Sequence, residues 1–234
     1  MEKIKEEVPE KLRIAVLLSF ISGYINAFTY NNAGELFAGA QTGNVIFMAL
    51  HFAKGNLEKA VEFLIPIISF MVGQIFIYCF RNFFQRRGHK GYIHSSLLML
   101  FIMIMLIVFL PFFDYHFIVV TLAFFAAIQS DTFQRLRGFS YATIMMTGNV
   151  KNAPRLLIEG LVQRDRELLV RGFLLFLIIF SFMLGVGIST YFTQFVKKSA
   201  LVPLILPLSY INYVLFKEEH SVIDVVKSKI RKIK

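Results

Sequence analysis

Long apolar windows separated by short charged stretches leave this chain few ways to fold. Leu12 to Tyr30, Ala60 to Phe80, His94 to Phe113, Phe117 to Ser130, Leu168 to Phe192 and Ala200 to Phe216 each hold at most one charged residue. Crossing the hydrocarbon core takes about 20 apolar residues. The Phe117 to Ser130 window is short and reaches that length only by running past Asp131. In lipid a lone crossing must satisfy its own backbone hydrogen bonds, so helices are the expected form. With 56% hydrophobic residues and 27 phenylalanines among 234, the chain carries more apolar surface than a soluble domain could hide. The expected fold class is therefore an all-α membrane protein. A single transmembrane domain spans 1–234, and the lipid bilayer is its first partner.

The remaining composition narrows the chemistry. The flank Met1 to Arg13 mixes four cations with four glutamates and leads to no small-residue cleavage site, so the first window reads as a retained helix, not a secretory signal. Cys79 is the only cysteine, which excludes an intrachain disulfide. The histidines at 51, 89, 94, 116 and 220 show no i, i+4 ligand pair, so no metal is expected, and no cofactor motif is visible. The net charge of +10 sits at window ends and in a C-terminal tail, where it orients the chain in a membrane. No nucleic-acid partner is expected.

The chain repeats itself. Ser22-Gly23-Tyr24-Ile25-Asn26-Ala27-Phe28 leads, past Gly34, to Thr42-Gly43-Asn44-Val45. About 105 residues on, Ala127-Ile128-Gln129-Ser130-Asp131-Thr132-Phe133 leads, past Gly138, to Thr147-Gly148-Asn149-Val150. Phe70-Met71-Val72-Gly73 is echoed by Phe182-Met183-Leu184-Gly185. Echoes in one order point to duplication, with repeats at about 12–113 and 117–216.

Whether the Thr-Gly-Asn segments cross the bilayer decides the topology. The second, Phe139 to Ile158, carries Lys151, Pro154 and Arg155, and a charge at bilayer depth costs on the order of 3 kcal/mol. If both segments dip in and return, six spans result, and 21 of the 25 cations fall on one side with both termini. Eight full spans place only about 17 there, so six transmembrane helices plus two re-entrant or broken helices are expected, with both termini cytoplasmic. Three crossings per half is odd, so the repeats would be inverted, an arrangement common in transporters and channels. A repeat that merely builds a stable bundle is the plainer reading.

At these residues the sequence resembles the YoaK family of bacterial membrane proteins, from about Lys11 to Phe216. The likeness rests on Ser22 to Ala27 with its downstream Thr42-Gly43-Asn44, and on the Gln129 segment with Thr147-Gly148. It implies a multi-span fold in the bacterial inner membrane, and no settled activity. Family members commonly carry an aspartate where this chain has Asn26.

Candidate site residues follow from the same motifs. Thr42 and Thr147 suit helix N-caps, with Gly43 and Gly148 leaving those helix ends open and Asn44 and Asn149 adding a donor and an acceptor each. Facing ends of this kind form a polar or anion-tolerant site. Close packing with hydrogen bonds across a helix interface is the competing role. Asp131, matching Asn26, is an acid in an apolar stretch and reads either as a protonatable carrier or cation ligand, or as the partner of Arg135 one turn on. Gln129, Gln74 and Gln41 line a polar path or bridge helices. Gly73, Gly185 and Gly187 mark close contacts, and Glu35 is a solvated loop residue. The tail 217–234 carries six cations among apolar residues and reads as a helix on anionic lipid head groups, or as a disordered basic tail.

The favoured function is a small-solute transporter or channel, for an anion or polar metabolite, with its site at the paired breaks. A non-transporting subunit or scaffold is the alternative. An intramembrane enzyme is disfavoured, because no nucleophile with a base stands out. A homo-oligomer is left open.

Overall fold

A computed structural model describes residues 8–217 of the chain. Apart from Lys217, the basic tail expected at 217–234 lies outside the described residues. Seven helices are bounded within it: α1 Leu12–Asn32, α2 Gln41–Ala53, α3 Leu57–Arg86, α4 Gly91–Val108, α5 Tyr115–Thr132, α6 Met146–Gln163 and α7 Arg166–Val196. Residues 205–217, α8, are also helical. A hairpin pairs β1, Arg135–Leu136, with β2, Phe139–Ser140.

Among the described residues four stretches are long and apolar enough to cross a membrane: Leu12–Asn32, Leu57–Arg86, Gly91–Val108 and Arg166–Lys217. The last runs 52 residues, more than twice the length one crossing requires. Its continuity breaks at Lys197–Leu204, a 3-10 stretch holding Pro203, so α7 and α8 are separate rods. α5 is 18 residues long and ends one residue past Asp131. This is an all-α architecture of the membrane type. Its long helices turn large apolar side chains outward, as at Ile68, Met71 and Ile75 of α3 and Phe173, Phe180 and Met183 of α7.

Helix directions follow from side-chain contacts. Along α1 and α7, Ser181 donates to Val16 O at 2.7 Å, Gly185 meets Phe20 and Tyr24, and Asn31 donates to Thr190 Oγ1 at 3.1 Å, so the two run parallel. Along α3 and α5, Ser69 donates to Val120 O at 2.6 Å, Gly73 meets Phe124 and Ala127, and Gln74 donates to Ser130 Oγ at 2.7 Å, again parallel. α1 and α5 oppose each other at the centre: Gln129 reaches Leu18, while Gly39 sits between Asn26 and Ala126. α2 folds back along α3 through the Phe47 and Phe63 rings, 5.3 Å apart, and α6 folds back along α7, where Gly172 meets Ala153 and Leu157. If α1 ascends, then, α2, α4 and α7 ascend with it, and α3, α5, α6 and α8 descend.

Small residues set these contacts. In lipid no hydrophobic drive pulls helices together, so close backbone approach through glycine carries much of the association. Gly23 and Gly185 lie against the backbone oxygens of Phe182 and Phe20, and a Cβ at Gly73 would stand 2.6 Å from that of Ala127. Gly187 has nothing within 4 Å, so the expectation of a close contact fails there. Gly185→Val should therefore separate α1 from α7 and destabilise the fold by about 1–3 kcal/mol, as overpacking does. Gly187→Ala should be neutral or slightly stabilising. Thermal unfolding of the two variants in detergent checks both expectations.

Candidate functional site

Each Thr-Gly-Asn helix begins inside the bundle, because the chain first doubles back along the helix before it. Leaving α1, the chain turns at Gly34, whose φ is +68°, and returns to residue 40 as non-helical backbone. Side chains of α1 hold that return. Thr29 Oγ1 accepts the N–H of Ala38 at 3.1 Å, and Asn26 Oδ1 accepts those of Gly39 and Ala40 at 2.9 and 3.0 Å. Asn26 precedes the end of α1 by six residues, about 9 Å at helical rise. α2 thus starts below the end of α1 and climbs alongside α3.

Asn44 closes the loop from the other side. It donates to Phe37 O at 2.8 Å and accepts from Phe37 N at 3.0 Å, with a further bond from its amide to Gln41 Oε1 at 2.9 Å. At the matching positions, Asn149 donates to Ala142 O at 2.7 Å, accepts from Ala142 N at 3.2 Å, and touches Met146 Sδ at 3.4 Å. Both amides are engaged by their own loops. Thr42 and Thr147 do not cap: the N-caps are Ala40 and Met145, without side-chain bonds, and each threonine is exposed at the second helical residue. Loop N–H groups are met instead by Asn26 and Asn44 in the first stretch and by Asn149 in the second. Gly43 lies under the Phe37 ring, whereas Gly148 is open.

The two loops meet. A Cβ at Gly39 would lie 2.5 Å from Ile144 Cγ2 and 3.4 Å from Ala126 Cβ. Gly39 and Ile144 are themselves 105 positions apart, the spacing of the sequence echoes. The junction is apolar and buried, with Ala38 and Ile144 in the main core. Near it is a cavity of about 520 Å³ walled by Asn26, Tyr30, Phe37, Ala40, Phe47 and Phe182. A second cavity, of about 190 Å³, is walled by Ile144 itself with Ser130, Gln134, Ser140, Tyr141, Thr143 and Met145. Gln134 also borders a third, of about 180 Å³, with Arg81, Asp131, Thr132 and Arg135.

Gln129 is fully buried and bridges the central helices, donating to Leu18 O at 3.0 Å and to Ser22 Oγ at 2.6 Å, while its Oε1 has no partner. Asp131 pairs with Arg81 of α3, not with Arg135: Arg81 Nη1 lies 2.6 Å from Asp131 Oδ2 and 2.8 Å from its carbonyl. The one-turn pairing fails because α5 ends at Thr132, so Arg135 has left the helix for β1. Gln74 bridges α3 and α5, Gln41 bonds Ala38 O, and Glu35 is an exposed loop residue at φ +69°. Among the described residues no group of three metal-ligating side chains occurs.

Arg81, Gly39, Tyr141, Thr143 and Ile144 escape sequence reasoning as site residues. Only the junction left a trace, in the 105-residue spacing. Asn44→Ala and Asn149→Ala each remove two backbone hydrogen bonds, worth about 1 kcal/mol apiece. Each should lower stability by roughly 2 kcal/mol and by similar amounts, measured by denaturant titration in mild detergent.

No curated protein and no solved structure matches the chain. Residues 14–213 match the family model described as protein of unknown function DUF1275. A match over that much of the chain, carried by this helical architecture, places the protein in the DUF1275 family.

Proposed function

We propose that this protein is a small-solute transporter or channel of the bacterial inner membrane. In this reading α1, α3, α4, α5, α7 and α8 cross, and α2 and α6 are re-entrant half-helices. The two halves are inverted repeats, as three crossings in each half imply, and both termini are cytoplasmic. Non-helical backbone at membrane depth is tolerated only where protein covers it or where it lines a wet cavity. Discontinuous helices meeting near the midplane are the usual solute sites of inverted-repeat transporters.

One observation carries the reading: Gly39 and Ile144, at matching positions, close against each other, with one cavity walled by Ile144 and another by Asn26 and Ala40 next to Gly39. A single isoleucine side chain against a glycine is a thin barrier. The Arg81–Asp131 pair lines the third cavity, which shares Gln134 with the second, and charge is at home near the head groups. With Asn44 and Asn149 engaged by their loops, solute contact falls to other groups at the breaks.

Purified protein in vesicles tests this. Ile144→Ala should raise the flux of small solutes several-fold over the wild type, and Ile144→Phe should lower it. Vesicles that pass no solute from a broad set with any of the three proteins would remove the transport reading.

A further inference from the structure

We propose that the cavity walled by α1, α7 and the start of α2 binds a flat, uncharged aromatic molecule with a hydrogen-bonding group at its outer end. Binding there goes beyond the transport reading and does not depend on it.

The wall is a built aromatic surface. Tyr30, Phe37 and Phe47 line it, with the Phe37 ring 5.1 Å from that of Tyr30 and 6.5 Å from that of Phe47, at interplanar angles of 26° and 27°. The Thr-Gly-Asn motif seats the middle ring. Asn44 grips both backbone polar groups of Phe37, and Gly43 leaves room for its ring, where a Cβ would stand 2.9 Å from two ring atoms. The second half of the chain builds the same loop and helix with Arg135, Ala142 and Asn152 at the matching positions. Three aromatics are therefore no requirement of the repeated scaffold. Near-parallel rings with an open side favour one more flat ring, stacked with an offset.

Polarity runs along the cavity. α7 borders it from Phe182 through Val186 to Thr190, about 12 Å at helical rise. Phe182 lies against Gly23, and Thr190 against Asn31 in the last turn of α1. The free polar groups gather at the Thr190 end. Thr190 Oγ1 accepts from Asn31 at 3.1 Å and keeps its own proton to donate, and Tyr30 and Asn31 are both exposed and within reach of a guest. Asn26, deeper in the wall, commits its carboxamide to Ser22, Gly39 and Ala40. Among the described residues no charged side chain lines the cavity. Lys59 and Glu62, which meet the turn at Gly34, pair with each other at 2.6 Å, and Glu35 of that turn faces solvent. A charged guest would leave water without a counter-charge, at a heavy desolvation cost. The volume of about 520 Å³ falls within the range of small-molecule sites, about 300–1,000 Å³.

The chain has no tryptophan, so indole emission can be followed against a protein free of that fluorophore. The full chain in phospholipid nanodiscs is titrated with indole, and empty nanodiscs supply the partition background. Saturable binding of one indole per chain is expected, with indole-3-acetate at least tenfold weaker. Val186→Phe, which fills the cavity, should weaken indole at least tenfold. Tyr30→Phe, which keeps the ring and removes the hydroxyl, should weaken it a few-fold. Neither position is buried, so both variants should melt close to the wild type. No saturable binding to the wild type, or binding that Val186→Phe leaves unaltered, would overturn the site. Indole-3-acetate bound as tightly as indole would overturn the uncharged class. A phospholipid that co-purifies with the wild type, is lost from Val186→Phe and is not displaced by indole would put an acyl chain in the cavity and overturn the aromatic guest. Vesicles that pass no solute while nanodiscs bind indole would remove the transport reading and leave this site standing.

Discussion

Peptide groups without helical partners cannot be left bare in lipid, and that constraint organises this protein. Each half of the chain carries a non-helical run into the bundle ahead of a Thr-Gly-Asn helix. Side-chain amides meet its backbone groups: Asn44 grips Phe37, and Asn149 grips Ala142, by the same pair of bonds at matching positions. Glycines at the parallel contacts between α1 and α7 and between α3 and α5 then bring the long helices close around the loops. The tight core and the polar loops depend on each other. Without the close helices the loops would meet lipid, and without the amides the loops could not be buried.

The halves differ where function is proposed. Asn26 accepts two loop N–H groups as a neutral amide, whereas Asp131 at the matching position turns to Arg81 and leaves its own loop. An aspartate at position 26 would accept the same two bonds but would bring a charge beside a cavity that no cation lines among the described residues. Asparagine keeps the hydrogen bonds and avoids that cost. The Arg81–Asp131 pair makes the third cavity polar, and Tyr30, Phe37 and Phe47 make the first aromatic.

Much of the scaffold was legible from residues alone. Apolar window length located the helices, and the spaced echoes of Thr-Gly-Asn located the two loops that meet. The caps were misread because threonine before glycine satisfies a local rule, while the bonds that count come from Asn26 on a neighbouring helix and from Asn44 and Asn149 further along. Partners distant in sequence, such as Arg81 for Asp131, leave no local signal. Tyr141 and Thr143 looked like ordinary loop residues, because burial without a partner is a property of the packed chain alone.

The central claim is that α2 and α6 open toward opposite faces of the membrane, so labelling their far ends tests it most directly. With Cys79 replaced by serine, Lys54→Cys and Gln163→Cys are exposed to a membrane-impermeant maleimide in intact cells and again after permeabilisation. Labelling of position 54 in intact cells, and of position 163 only after permeabilisation, is the predicted result. Labelling of both positions from the same face would contradict it.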